Sequence, residues 1–296
     1  MNSVYTDQIW HKSQCRKFIF DTYTLFHSKS KHVMLVDAVN VRGLTAELVV
    51  TDNVVNRPHV ALYPEFWGSF SYQPEYTARP PTRLFNCFIH RVCTTRQSWF
   101  YQFVRRNLLH SGWVSFLLHI KHLPPGVVSK QDLYEYNYNQ GYDIFKAEHD
   151  LMRDHVPFCN FAGDLDQVIV DSCISLVIET YVDWPDTIAF SEKIFRALQL
   201  PRPIILYSMP GSVEVLRKYG FDVWDDIIDH AYDSEPNQIQ RQIQILDQLC
   251  QLRDLTYTDQ QLEQFELRAQ HNRDLLQKFR LQWPTKLKNT LDKLSI

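Results

Sequence analysis

The residue pattern predicts an α/β protein in three parts: a small α/β domain over residues 1–81, a larger domain over 82–234, and C-terminal helices over 235–296. Three observations carry this. Apolar runs of strand length alternate with segments of near-helical apolar spacing, the order expected of a parallel sheet with crossover helices. The turn-prone run from Pro74 through Pro80 and Pro81 marks a boundary. From Pro236 onward the apolar period is almost everywhere helical.

The opening part contains three candidate strands, HVMLVDA (32–38), AELVV (46–50) and HVALY (59–63). Strands follow in the larger part at 84–89, 113–118, 173–178 and 203–207. Arg96 opens QSWFYQFVRRNLL, where Trp99, Phe103 and either Val104 or Leu108 recur at helical spacing. Asp164-Leu165-Asp166 is the one literal D-x-D triplet; beside Gly163 and before an apolar run it reads as an N-cap with a nearby acid rather than a metal site. Ser191 reads as an N-cap followed by Glu192 and Lys193, with Ile194, Phe195, Ala197, Leu198 and Leu200 on the apolar side. Pro210, Gly211 and Ser212 lead into a further helix closed by Gly220. In the tail, Thr258 and Gln261 form a capping box before Leu262, Phe265, Ala269, Leu276 and Phe279, which are expected to dock on the body.

Composition removes several classes. With 45% hydrophobic and 14% aromatic residues, the 296-residue chain can bury one large core or two modest ones. No run approaches the roughly 20 apolar residues of a membrane span, and MNSVYTDQIWHKSQ lacks a secretory signal pattern, so a cytoplasmic protein without membrane contact is expected. The six cysteines lack C-x-x-C spacing, and the pairs His119 with His122 and His149 with His155 lack third ligands, so no zinc or other metal site is expected. A net charge of −3 argues against a general nucleic-acid surface, and the basic clusters at Arg105-Arg106 and from Lys278 to Lys293 read as solvated faces. With eight glycines and neither G-x-G-x-x-G nor G-K-[ST], the chain fits neither a nicotinamide dehydrogenase nor a P-loop kinase.

Open α/β sheets bind ligands beyond the carboxyl ends of their strands, and Arg96, Glu179 and the Glu192-Lys193 pair all follow such ends. A guanidinium at a helix start suits phosphate, because its planar fork donates two parallel hydrogen bonds and stays charged. Glu179 could accept bonds from sugar or ribose hydroxyls.

The order Ser191-Glu192-Lys193, Ile204 to Tyr207, Pro210-Gly211-Ser212, Leu216 to Gly220-Phe221 and Asp229-His230-Ala231-Tyr232-Asp233 resembles the donor-site signature of fucosyltransferase-like glycosyltransferases, phage and environmental relatives included. The resemblance implies a GT-B-like fold of two Rossmann-like domains, the N-terminal one reduced. It implies a metal-independent enzyme that takes a nucleotide-sugar co-substrate and needs no other cofactor. It implies that Arg96, with Arg91 beside it, contacts the diphosphate, and that Glu179, Ser191, Glu192 and Lys193 hold the donor. Two positions depart from the pattern: Ala189 stands where the family carries Tyr, and Thr180 where it carries Asn. Guanosine diphosphate fucose is therefore not implied. Phe190 either replaces the missing ring or belongs to the core.

Sugar transfer also needs a base at the acceptor hydroxyl, expected across the cleft in the opening domain. Glu65, in the aromatic turn YPEFWG, is the first candidate and Asp37 its competitor. The acceptor is a glycan or, in a phage protein acting in the host cytoplasm, a hydroxymethylated DNA base. A non-catalytic binding protein that retains the fold is the alternative.

Overall fold

The computed structural model describes residues 33–36, 48–51, 54–55, 60–62, 67, 70–89, 94–116, 158–179, 182, 187–188 and 190–293. The larger sheet contains β5 (Arg83–Ile89), β6 (Gly112–Phe116), β7 (Phe158–Cys159), β8 (Ser172–Ile178) and β10 (Ile204–Tyr207) in the spatial order β10-β8-β5-β6-β7. The first four neighbours run parallel, and β7 adds an antiparallel edge. From β5 the chain crosses to β6 on one side, whereas β8 and then β10 build outward on the other. The gap between β5 and β8 is therefore the topological switch point of a doubly wound sheet.

The opening part contributes β1 (Val33–Val36), β2 (Leu48–Thr51) and β4 (Val60–Leu62), a parallel sheet in that order. Its β3 (Val54–Val55) pairs antiparallel with β9 (Thr187–Ile188). The three expected opening strands are thus present, with bounds shifted by one or two residues, as are the four in the larger part.

Helices cover both faces of the larger sheet, which is why β8 and β10 are apolar almost throughout. On one face lie α1 (Thr94–Arg105), through Trp99, Phe100 and Phe103, and α5 (Gln238–Gln251), through Ile245, Leu246 and Leu249. On the other lie α2 (Leu165–Val170), α3 (Glu192–Leu198), α4 (Ser212–Lys218) and α6 (Asp259–Lys293), the last three packed on Val177, Ile204 and Leu206. A polar pair inside the sheet is satisfied: the Ser175 hydroxyl meets Asn86 Oδ1 at 3.2 Å and Asn86 Nδ2 donates to the Ile174 carbonyl at 3.3 Å. Gly112 lies under the Phe85 ring, where an added Cβ would come within 2.6 Å of it.

The predicted caps form. Asp164 accepts from the Asp166 N–H at 2.7 Å, so the D-x-D triplet starts α2. Gly220, at φ 92°, closes α4. Thr258 and Gln261 exchange the reciprocal bonds of a capping box at 2.9 and 3.3 Å. Phe265, Ala269 and Leu276 of α6 are buried on the body, as expected.

The proline-rich boundary behaves differently from a turn. Residues 70–82 run beside α2 and the end of α3 as a strap, with no turn over 71–81, held by side chains that satisfy its backbone groups. Gln199 bonds Tyr72 N and the Phe70 carbonyl, each at 3.1 Å, and Gln167 does the same for Thr77 at 2.8 and 3.2 Å. Buried Asp166 accepts from Tyr72 Oη at 2.9 Å, Glu75 N at 3.3 Å and Arg196 Nε at 2.7 Å. Just before the strap, Trp67 is fully buried, with its ring 5.4 Å from Phe190 and 5.5 Å from Phe195. This tryptophan of the aromatic turn is spent on the core rather than offered to a sugar, and Phe190 is likewise core.

The outer edge of β10 is closed by the DHAYD motif. Leu206 N–H donates to Tyr232 Oη at 3.1 Å, Tyr232 meets His230 Nδ1 at 2.9 Å, and His230 Nε2 meets the Val223 carbonyl at 2.8 Å. Because the carbonyl can only accept, Nε2 carries the proton and Nδ1 accepts from the tyrosine. Burial, the largest influence, holds His230 below its ordinary value of 6.5.

Two stability predictions result. Asp166→Ala leaves Tyr72, Glu75 N and Arg196 without their acceptor, so urea denaturation should show a loss of about 3 kcal/mol, against about 1 kcal/mol for the cap variant Asp164→Ala. His230 is neutral in the folded chain, while the unfolded chain takes up a proton as pH falls below 6.5. Stability should therefore drop through that window with a slope of up to about 1.4 kcal/mol per pH unit, and His230→Gln should flatten the slope in a pH series of denaturation curves.

Candidate functional site

The carboxyl ends of β5, β8 and β10 are where the predicted residues gather. Arg96 stands in the first turn of α1 and is only 2% exposed, so it is not the surface arginine that its residue type suggests. Its Nη2 donates to the carbonyl of Ile178, the last residue of β8, at 3.1 Å. The guanidinium thus spans the switch point.

Glu179 follows directly. Buried at 3% exposure, its Oε1 accepts from Ser191 N at 3.0 Å, and the Ser191 hydroxyl lies 2.9 and 2.7 Å from its two oxygens. Ser191 caps α3 as predicted, accepting from Lys193 N at 3.3 Å and from Lys193 Nζ at 3.1 Å. With the serine proton given to Glu179, the hydroxyl oxygen is the acceptor that draws the lysine in. Lys193 Nζ also lies 3.3 Å from Glu192 Oε1. An ammonium has three N–H groups, and these two contacts leave one for a ligand. Glu192 is largely exposed beside it.

Arg96, Glu179, Ser191, Glu192 and Lys193 are therefore brought to one end of one sheet. Arg91, Glu65 and Asp37 lie outside the described residues, as do Thr180 and Ala189. Among the described residues no group of three His, Cys, Asp or Glu could hold a metal ion.

Ser208 belongs to this end but escapes a reading by motif. Its neighbour Tyr207 is paired with Ile178, so Ser208 stands opposite Glu179, and its buried hydroxyl has no partner among the described residues. A small polar residue directly after a buried strand, in IILYS, is the signal that could have found it. Beyond it, Asp233 Oδ2 takes the Val213 and Glu214 N–H groups at 3.0 and 3.2 Å, which occupies the start of α4. The second aspartate of DHAYD thus serves a helix start rather than a ligand.

The local folding logic is economical. β8 ends in a carboxylate whose nearest available donors belong to the start of α3, so one group fixes both the helix entry and the lysine two residues later. No protein-family model matches the chain, and no curated protein matches it.

Removing the Glu179 carboxylate should loosen the start of α3. Glu179→Gln is expected to cost about 1 to 2 kcal/mol and to raise amide hydrogen exchange at Ser191 to Lys193 above that in the middle of the sheet, measured by mass spectrometry.

Proposed function

We propose that the protein is a GT-B-like glycosyltransferase that moves a sugar from a nucleotide-diphosphate donor to an acceptor hydroxyl, without a metal. The observation that supports this reading is the convergence of Arg96, Glu179, Ser191 and Lys193 at the switch point of a doubly wound sheet. Departure of a nucleoside diphosphate develops negative charge on the leaving phosphates and positive charge on the sugar carbon. Lys193 and Arg96 are held in advance at fixed positions, the arrangement that stabilises such charge without reorganisation. Glu192 accepts hydrogen bonds from ribose hydroxyls at the rim. The base belongs to the opening domain, with Glu65 before Asp37. The acceptor is a glycan or a hydroxymethylated base of phage DNA, and the protein acts in the cytoplasm.

A second reading, a binding protein that keeps the fold without turnover, is favoured by one observation. Glu179 is fully engaged with Ser191, and Arg96 already donates to a strand carbonyl. Such a protein would bind a nucleotide through Lys193 and Ser208 and release it unchanged.

Thermal unfolding across a panel of nucleoside diphosphates and nucleotide sugars tests the proposal. A ligand at about 100 times its dissociation constant should add about 2.7 kcal/mol of stability. The shift should be selective, should vanish in Lys193→Ala, and should be followed by sugar transfer in an acceptor screen. A folded Lys193→Ala protein with unchanged nucleotide affinity overturns the site, and binding without transfer leaves the second reading.

A further inference from the structure

The inward stripe of α5 changes chemistry along its length. Its C-terminal half is apolar, with Ile245, Leu246 and Leu249, but its N-terminal half presents Gln238, Arg241 and Gln242 to the sheet. These positions share one helical face, being spaced three and four residues apart. That half lies at the carboxyl end of β10, because Tyr207 Oη donates to the Gln238 carbonyl at 3.0 Å. The N-terminal half of α1 lies alongside, since the Ser98 hydroxyl donates to Gln242 Oε1 at 2.9 Å and the Trp99 ring packs 5.0 Å from Tyr207. Two helix N-termini, of 12 and 14 residues, thus face the same seam.

Arg241 is the anomaly there. It is 1% exposed, yet no carboxylate among the described residues pairs with it. Its Nη1 donates to the Glu235 carbonyl, its Nη2 to the Val182 carbonyl at 3.4 Å, and the guanidinium lies 5.3 Å from the Tyr207 ring. The nearest acids are committed elsewhere: Asp233 to the start of α4, and Glu235 to Asn237 N at 2.8 Å. Four further polar atoms of the seam have no partner among the described residues. Three are donors, Arg241 Nε, Gln242 Nε2 and Trp99 Nε1, and one is an acceptor, Gln238 Oε1. A buried guanidinium with no ion pair, influenced only at longer range by Asp233 and Glu235, amid surplus donors and two helix starts, is complementary to an anion.

We propose that the seam between the N-terminal halves of α1 and α5 is a phosphate site centred on Arg241, separate from the Ser191–Lys193 end of α3 on the other face of the sheet. The donor set selects the anion. Three N–H groups suit oxyanion oxygens, and the lone acceptor, Gln238 Oε1, suits the proton that hydrogen phosphate carries and sulfate lacks. All four atoms are sealed from bulk solvent, so phosphate enters only when the seam opens, and its exchange is slow. The inference does not rest on the sugar-transfer reading.

Calorimetric titration of the full chain with inorganic phosphate, with sulfate and glucose 1-phosphate in parallel, tests it. Phosphate should bind slowly and well ahead of sulfate. Arg241→Met should weaken phosphate binding by roughly tenfold or more, while its stability without phosphate stays close to that of the parent, because an unpaired buried charge has been removed. Gln238→Leu, at a half-buried position, keeps the guanidinium and should erase the preference for phosphate over sulfate. Lys193→Ala should leave phosphate binding unchanged, which separates this site from the donor end. Tighter binding of glucose 1-phosphate through Arg241 would support the site with a phosphomonoester as its source. Equal phosphate affinity in the parent, Arg241→Met and Gln238→Leu proteins, or no phosphate binding at all, overturns the proposal.

Discussion

The pairing of β5 with β8 is the constraint on which the rest of the molecule depends. These two strands meet in parallel although the chain between them has already built β6 and β7 on the far side of β5. That return opens the switch point, and Arg96 and Glu179 stand at its rim. Arg96 closes the gap from the α1 side by bonding the terminal carbonyl of β8, and Glu179 closes it from the other side by seizing the start of α3. Without that register, Arg96 and Ser191 would have no common neighbour. Parallel pairing gives no hairpin to set it locally, so it must be held by burial, and β8 is buried along its whole length.

Burial on the second face depends in turn on segments far away in sequence. Trp67 fills the space among Phe190, Phe195 and Tyr219, and α6 brings Phe265 and Phe279 to the same cluster from the other end of the chain. The strap over residues 70–82 joins these ends, and Asp166 is its anchor. This carboxylate accepts from the strap and from α3 together, so the entry of α3, and with it Lys193, is braced from both its ends.

Local chemistry made much of this legible. Ser191, Asp164 and the Thr258-Gln261 pair announce helix starts because capping is decided within four residues, and the apolar strands show because both faces are covered. What could not be read is decided by distant packing. Pro74 to Pro81 has the composition of a turn, but the side chains that hold it come from α2, the end of α3 and α6. Arg96 has the residue type of a surface group, and only the strand order reveals the carbonyl that buries it. Arg241 sits in a glutamine-rich helix with no motif around it, and its lack of an ion pair among the described residues is a property of three dimensions alone.

The motif that most resembles a donor signature divides, in space, into two kinds of work. DHAYD spends His230 and Tyr232 on the edge of β10 and Asp233 on the start of α4, so its residue pattern follows from closing a sheet edge rather than from touching a ligand. Ser-Glu-Lys is different. The Ser191 hydroxyl is shared between a buried carboxylate and an ammonium that keeps an uncommitted N–H, so the position of Lys193 is tied to that of the Glu179 side chain. A ligand anion that pulled Lys193 toward itself would act against that shared hydroxyl, and the carboxylate behind it would resist. Such a lysine costs little reorganisation when charge arrives, because its aim is set by the end of a strand and not by the ligand. The short sequence distance between Ser191 and Lys193 matters less than the long one between Glu179 and α3, which the sheet makes short.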